Sequence, residues 1–433
     1  MIILDRALER REAERNPIRV GIVGAGYMAR GIAAQASSTT GMEVVAISNR
    51  TPETAAHVFE EIASGDIIRA HSPDELEEAM SRGVRVVSDD PSVLCRADGV
   101  DVIIETTGEV EFGARVVLDA LSARKHVVLV NAELDATVGP ILKTKADAAG
   151  VVLTNTDGDE PGVAMNLLRY VRTIGLQPVL TGNIKGFIDP HRTPDTQAAF
   201  AESVGQRSKM ITSFADGTKL SMEATIVANA AGFRVAQRGM KGRACAHVRD
   251  VLDAFDPSEL LSGGLVDYVL GAEPGSGAFV VGHGVDPIPQ QYLRYFKMGD
   301  GPFYVFYTPW HLPHAEAPLT AARAVLFQDA AVTPLGRPFC DVVALAKRDL
   351  ARGEVLDGIG GFTCYGVIEN ADVAQRDRLL PMGLSEGCEL VSDVGADQPI
   401  GYADVRLPDG RIADALRREQ DALFARRDVS EAT

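Results

Sequence analysis

The chain has 433 residues, 46% apolar and 24% charged, enough for two to three domains of about 150 residues each and too apolar for a disordered or collagen-like polymer. Lys and Arg number 43 against 60 Asp and Glu, for a formal net charge of −17, with no basic patch of the size that a duplex-binding face requires. The five cysteines include no C-x-x-C pair, which excludes both a disulfide framework and a zinc ribbon.

Met1 to Leu4 runs straight into the charged segment Asp5–Arg15, so no signal-peptide core is present and no later stretch reaches the roughly 18 apolar residues of a membrane span. A cytoplasmic protein without membrane or nucleic-acid partners is expected. Leu4 to Arg15 reads as a short amphipathic helix. From Ile18 the pattern alternates: strands at Ile18–Val23, Met42–Ser48, Val84–Ser88, Val102–Glu105, His126–Val130 and Val151–Leu153, with helices at Tyr27–Ala36, Pro52–Ile62, Phe112–Ser122 and Asp135–Ala149 between them. This alternation predicts an α/β fold with a doubly wound parallel sheet, the Rossmann type, over residues 1–156. Continuous apolar runs such as Val102-Ile103-Ile104 belong to strands covered on both faces.

After Asp157 the rhythm breaks into an α+β pattern, expected for a catalytic and substrate domain over 157–300. Here a helix Pro161–Ile174 leads to a strand near Val179–Phe187 and a helix after Pro194. A hairpin of Ser208–Phe214 and Thr218–Glu223 is expected across Asp216-Gly217. The Gly/Pro-rich stretch Gly263–Pro289 predicts long functional loops, and Phe303–Tyr307 predicts a buried strand. Residues 301–336, with a helix at Ala315–Leu326, form a return segment. A small β-rich module follows over 337–410, then a charged helical tail over 411–433.

Strand one ends in Gly24-Ala25-Gly26-Tyr27-Met28-Ala29, a G-x-G-x-x-A turn opening a helix. Gly24 permits the turn, Gly26 lets a pyrophosphate reach the backbone, and the N–H groups at Tyr27 and Met28 begin the anion-binding helix end. The second strand ends in Ser48-Asn49-Arg50 with no carboxylate for a free ribose 2′-hydroxyl; Arg50 can stack on adenine or pair with a 2′-phosphate, which favours NADPH over NADH. Thr107 and Gly108 after the fourth of these strands, and Asn131 and Glu133 after the fifth, lie where such sheets place the reactive ring.

Thr156-Asp157-Gly158-Asp159-Glu160-Pro161-Gly162 packs three carboxylates before a helix. Part of this is helix capping. Asp159 and Glu160 are also candidates for proton transfer, and with Glu223 for holding Mg²⁺ or Mn²⁺. Lys185 ends a strand between glycines. The residue pattern alone leaves it either a solvated strand-end lysine or an ammonium that stabilises a developing oxyanion. His191, in Asp189-Pro190-His191-Arg192, reads more readily as a loop residue than as a ligand, and the pair His311 and His314, in Trp310-His311-Leu312-Pro313-His314, is similarly ambiguous.

These motifs together resemble the homoserine dehydrogenase-like oxidoreductases, specifically the branch with a C-terminal SAF domain that includes the 1-deoxy-D-xylulose 5-phosphate reductoisomerase-like enzymes. The resemblance rests on Gly21–Gly26, Asn131-Ala132-Glu133, Gly158-Asp159-Glu160-Pro161, Lys185, Gly301-Pro302-Phe303-Tyr304, His311-Leu312 with Pro318-Leu319-Thr320, and the terminal module. It implies NADPH-dependent chemistry on a small polar carbonyl or hydroxy substrate, phosphorylated or otherwise anionic, with reductoisomerisation and a divalent metal in the nearer relatives. It further implies a SAF-like fold for 337–410, favours the catalytic reading of Lys185, and goes with a homo-oligomer. Gly186–Arg192 departs from the substrate loops of both branches, which leaves homoserine-type amino-alcohol oxidation, or a non-catalytic NADPH sensor, as the alternative readings.

Overall fold

The computed structural model describes residues 3–62 and 65–431, with side chains through residue 425. Contacts divide it into two units: residues 1–159, 312–336 and 411–433, and residues 160–311 and 337–410.

The first unit is built on seven parallel strands, β1 (Ile18–Val23), β2 (Met42–Ser48), β3 (Ile67–Arg69), β4 (Arg85–Ser88), β5 (Val102–Glu105), β6 (His126–Leu129) and β7 (Leu153–Asn155), in the order β3-β4-β2-β1-β5-β6-β7. From β1 the sheet runs outward through β2, β4 and β3 on one side and β5, β6 and β7 on the other, so the carboxyl ends of β1 and β5 flank the reversal at which doubly wound sheets bind ligands. The central strands are buried along nearly their whole length, as helices on both faces demand. Helix Pro313–Phe327 packs on helix Tyr27–Ser38, and its Ala317, Ala321 and Ala322 join one apolar core with Ile22, Ile32 and Ile104. Their approach is close at Gly31, where a Cβ would lie 3.1 Å from the Cβ of His314.

The last helix, Ile412–Glu431, packs on helix Ala132–Ala149, which is interrupted by Pro140. A proline inside a helix frees backbone groups one turn away. Here the C-terminal helix bonds two backbone groups close to Pro140: Ile141 N–H donates to Gln420 Oε1 (3.2 Å), and Arg417 donates to the Thr137 carbonyl (3.3 Å).

The second unit holds a five-stranded mixed sheet of β8 (Gln177–Lys185), β9 (Arg243–Ala244), β10 (Leu265–Leu270), β11 (Ala278–His283) and β12 (Phe303–Thr308), in the order β12-β11-β8-β10-β9. β8 and β10 are parallel, and β11 runs antiparallel to β8 and β12. The ends of β8 and β12 and the start of β11 therefore meet at one edge of the sheet. A small module follows, in which β13 (Cys340–Ala346) pairs antiparallel with β14 (Cys364–Asn370).

Three expectations fail. Residues 208–223 form no hairpin: Ser208–Ala215 and Thr218–Ala231 are helices joined through Asp216-Gly217. The second is buried at every position, so it carries no amphipathic stripe for a periodicity reading to detect. The glycine-rich stretch 263–289 contains β10 and β11 rather than long loops; Gly277 is there because a Cβ would collide with the Thr308 carbonyl of the neighbouring strand. Phe303–Thr308 is a strand, but at the sheet edge and mostly half-buried.

Candidate active site

In the first unit the residues expected to meet a coenzyme sit on the carboxyl ends of β1, β2, β5 and β6. Gly24 turns with φ +110°, and a Cβ on it would strike Thr106 Oγ1, so the chain itself requires glycine there. Gly26 differs. It has φ −82°, precedes the helix Tyr27–Ser38 with no side chain capping the first turn, and a Cβ on it would meet nothing within 4 Å. Open space above uncapped N–H groups is what an incoming phosphate needs. Tyr27 is exposed and Met28 half-buried beside it. At the tip of β2, Asn49 donates through its backbone to Ser88 O (2.9 Å) and through its side chain to Thr51 O (2.9 Å), a brace that leaves Arg50 exposed.

Glu105 ends β5 wholly buried. Its carboxylate accepts from the Thr107 N–H (2.8 Å), from the Thr107 hydroxyl and from Asn131 Nδ2 (2.8 Å). Asn131 also caps the helix Ala132–Ala149, accepting from Leu134 N–H at 3.0 Å. Asn131 to Glu133 thus form a helix start rather than a loop, with Glu133 1% exposed in its first turn. Burial pushes the Glu105 carboxyl up to about 7, against the pull of the Thr107 and Asn131 donors. Asp135 behaves alike: burial pushes it up to about 7 although Asn155 donates to it. Gly108 is left-handed at φ +70°.

The carboxylates of 157–160 divide by role. Asp157 accepts from the Thr320 hydroxyl (2.9 Å) and from Arg323, and so ties down the helix Pro313–Phe327. Asp159 is half-buried and ends the first unit; Glu160 begins the second.

In the second unit, Lys185 at the end of β8 places Nζ 2.6 Å from Glu160 Oε1 and 3.4 Å from Glu223 Oε2. The carboxylate side chains are 6% and 2% exposed and that of Lys185 is 20%. Glu160 comes from the first turn of helix Glu160–Thr173 and Glu223 from the middle of Thr218–Ala231. Asn183, two residues before Lys185 and on the same strand face, donates to Glu223 Oε2 at 3.0 Å. Burial alone would push the Lys185 ammonium down, but the two carboxylates together outweigh it and its pKa lies above the ordinary lysine value. The two carboxylates therefore favour the charged form of Lys185. On the far oxygen of Glu160, His311 Nε2 lies 3.5 Å away, and Ser276 Oγ is 3.2 Å from His311 Nδ1. Sequence reading left His311 open and passed over Ser276 and Asn183; adjacent strand ends supply them, and only the sheet order could have shown that. His314 stands apart, beside Gly31 in the first unit. His191 meets Asp397 at 2.9 Å. A cavity of about 810 Å³ along β12, between Tyr170, Arg249, Lys297 and Tyr307, contains none of these residues.

Residues 20–154 match the family described as homoserine dehydrogenase, NAD binding domain, and residues 158–317 match the family described as oxidoreductase DRL, catalytic domain. Each match covers less than half of the chain, and both families are named for oxidoreductases. A homoserine dehydrogenase of Bacillus subtilis (strain 168) is 30% identical over 139 residues, 31% of this chain and 28% of that protein, so the match spans well under half of that relative. Among solved structures, a probable dehydrogenase from Thermotoga maritima is 15% identical with a TM-score of 0.38, covering 62% of this chain and 73% of that one. A scyllo-inositol dehydrogenase from Lactobacillus casei is 13% identical with a TM-score of 0.41, covering 72% and 89%. No helix among the described residues is long and apolar enough to cross a membrane.

Proposed function

We propose that this protein is an NADP(H)-dependent oxidoreductase that interconverts a small, polar, anionic carbonyl compound with its alcohol, Lys185 handling the proton at the substrate oxygen. The observation that carries the reading is the Lys185 ammonium held by Glu160 and Glu223 at the end of β8. When bound, NADPH supplies the hydride. Gly24, Gly26, Tyr27 and Met28 would take its pyrophosphate, Asn49 and Arg50 its adenosine end, and Thr107, Gly108 and Asn131 its nicotinamide side. The Lys185 ammonium would polarise the carbonyl and donate the proton that completes the alcohol. Glu160 and Glu223 keep that ammonium charged and aimed, while Asp159 and Glu133 remain candidates for orienting substrate.

Asp159, Glu160 and Glu223 form a carboxylate group that could hold a divalent ion, but the Lys185 ammonium on Glu160 and Glu223 already brings the positive charge such an ion would bring. We therefore read the reaction as metal-independent. An isomerisation ahead of reduction would call for a base, and a lysine held protonated is none; simple reduction or oxidation fits better. The module 337–410 is read as a SAF-like domain that braces the loop after Lys185: Lys347 Nζ donates to the Arg192 carbonyl at 2.6 Å, and Asp397 meets His191.

Coenzyme titration by fluorescence and calorimetry is the test. The protein should bind NADPH, and Gly26→Ala should weaken binding by about tenfold or more with unchanged Tm, since its Cβ has room in the fold but fills the phosphate's space. NADPH oxidation should then appear with phosphorylated ketoses or 2-oxo acids and survive exhaustive chelation. No response to either reduced coenzyme would end this reading.

A further inference from the structure

We propose that the helix Pro287–Tyr295 and the recess beside it along β12 form a self-complementary docking surface for a second copy of this chain, the helix of each copy seating in the recess of the other. The helix joins β11 to β12 and contributes no buried residue to its own unit. Yet Val285, Ile288, Tyr292, Tyr295 and Phe296 recur every three or four positions, the spacing of one helix face, and are between 62 and 76% exposed. The rings of Tyr295 and Phe296 meet edge to face with centroids 5.0 Å apart. Five large side chains of about 150–250 Å² each, two-thirds exposed, present roughly 600–700 Å² per copy. That is beyond the roughly 300–600 Å² of the largest apolar patch on an ordinary monomer, and close to the roughly 800 Å² that each partner gives to a standard stable interface.

The recess supplies the counterpart. The chain leaving the helix, Lys297 to Gly301, forms one wall of the cavity of about 810 Å³ along β12, the edge strand of its sheet. Tyr170 and Phe306, edge to face at 5.9 Å, and Tyr307, with the Arg249 guanidinium 5.7 Å from its ring centroid, also line it. A cavity of that size takes the aromatic side chains of a partner helix, and the cationic Arg249 and Lys297 in its wall suit the ring faces of Tyr292 and Tyr295. Row and recess adjoin on one surface, so a two-fold axis between two copies engages both at once and closes the assembly. Charge selects the same partner. A formal net charge of −17 drives copies apart over most of their surface, whereas this helix holds one charged residue, Arg294, which pairs with Asp300 at 2.9 Å; interface cores are depleted of charge in this way. A helix lying in a membrane surface would instead carry Lys and Arg along its polar face, where this one has Gln290 and Gln291. Nor is the helix a lid on Lys185: β11 begins opposite Asn183 and ends opposite Gln177, which puts the helix at the other end of the sheet.

Sedimentation equilibrium on the full chain tests the proposal, with no coenzyme or substrate needed. The wild type should dimerise with a dissociation constant of about 10 µM or below. Tyr292→Asp puts a charge in the middle of the row and should weaken the dimer by about 100-fold or more. Ile288→Asp, on the same row, should do the same, and the circular dichroism of both variants should match the wild type because the helix buries nothing in its own copy. Phe200→Asp, at a side chain 60% exposed elsewhere, should leave the dimer within about twofold. Tyr170→Arg, in the recess, should weaken it as the row variants do. An equimolar mixture of Tyr292→Asp and Tyr170→Arg should then associate about tenfold or more tightly than either variant alone, because one of its two contacts is wild type and the other brings opposite charges together. A wild type that stays monomeric at about 100 µM, a dimer indifferent to both row variants, or a mixture no tighter than its components would each overturn the proposal.

Discussion

Each unit buries carboxylates at the end of its sheet, and the two answer the burden of burial differently. In the first, Glu105 and Asp135 are met by amides, a hydroxyl and a backbone N–H, and burial lifts both to about 7. In the second, Glu160 and Glu223 have an ammonium between them, and they raise its pKa in turn. Neutral donors tolerate an acid that can take or lose a proton near neutrality; a cation fixes a charged pair in place. The first arrangement holds two buried acids whose protons burial retains to about pH 7. The second keeps an ammonium charged and in place.

The sharpest way to break the contrast is Lys185→Met. If the ammonium handles the proton, kcat should fall by about 10²–10⁴-fold with NADPH affinity within twofold of the wild type. Because the variant removes a cation that both buried carboxylates hold, it should also lose stability, and adding Glu223→Gln should restore part of the Tm but none of the turnover. Turnover that survives Lys185→Met sinks the role assigned to it.

A second buried pair sharpens the comparison away from the site. Lys347 Nζ lies 2.8 Å from Asp216 Oδ2 and donates to the Arg192 and Gly361 carbonyls at 2.6 and 2.7 Å, its side chain 2% exposed. Lys347→Met strands Asp216, and should cost about 3–5 kcal/mol in denaturant unfolding. A loss below about 1 kcal/mol would mean that this cation, unlike Lys185, is dispensable.

How far the sequence carried differs between the units for the same physical reason that separates their acids. The first unit alternates strands and helices whose patterns are strong, and the glycine turn sits where a strand meets a helix, so β1, β2, β5 and β6 and the two glycines of the turn were legible. The short β3 and the helices Pro73–Ser81 and Pro91–Arg96 left little periodic signal. In the second unit Glu160 and Lys185 stood out as a carboxylate cluster and a strand-end lysine. Glu223 groups with Asp159 and Glu160 as a candidate metal ligand, but the helix that carries it was not readable, because it is buried on all sides and lacks any stripe. Ser276 and His311 lie in loops, and only strand order brings loops 35 positions apart in the chain to 3.2 Å.

The proton-bearing acids of the first unit make a prediction about pH. Asp135 keeps its proton in the folded chain up to about 7, while the unfolded chain releases it near 3.8. The folded state then binds more protons between those values, so this contribution to stability is complete below about pH 4 and is lost as pH rises to about 7. Asp135→Asn removes it. The Tm of the variant relative to the wild type should climb between pH 4.5 and 8, by an amount equivalent to about 2–4 kcal/mol, and Glu105, shifted the same way, should keep a residual slope in the variant. A difference in Tm that is flat with pH would show that Asp135 ionises normally in the fold.

The smallest expected effect decides the coenzyme. Asn49 braces the β2 tip through Ser88 and Thr51, and leaves the neighbouring Arg50 side chain in solvent, where a guanidinium can pair with a 2′-phosphate without first breaking a buried contact. Arg50→Ala should therefore weaken NADPH by about tenfold, a loss of about 1.4 kcal/mol, and leave NADH within about twofold, with no change in Tm. Equal losses for both coenzymes would assign Arg50 to the adenine face instead, since stacking does not read the phosphate; no loss for either would place the adenosine end away from the β2 tip. Only the first outcome makes the missing carboxylate at the end of β2 a specificity feature.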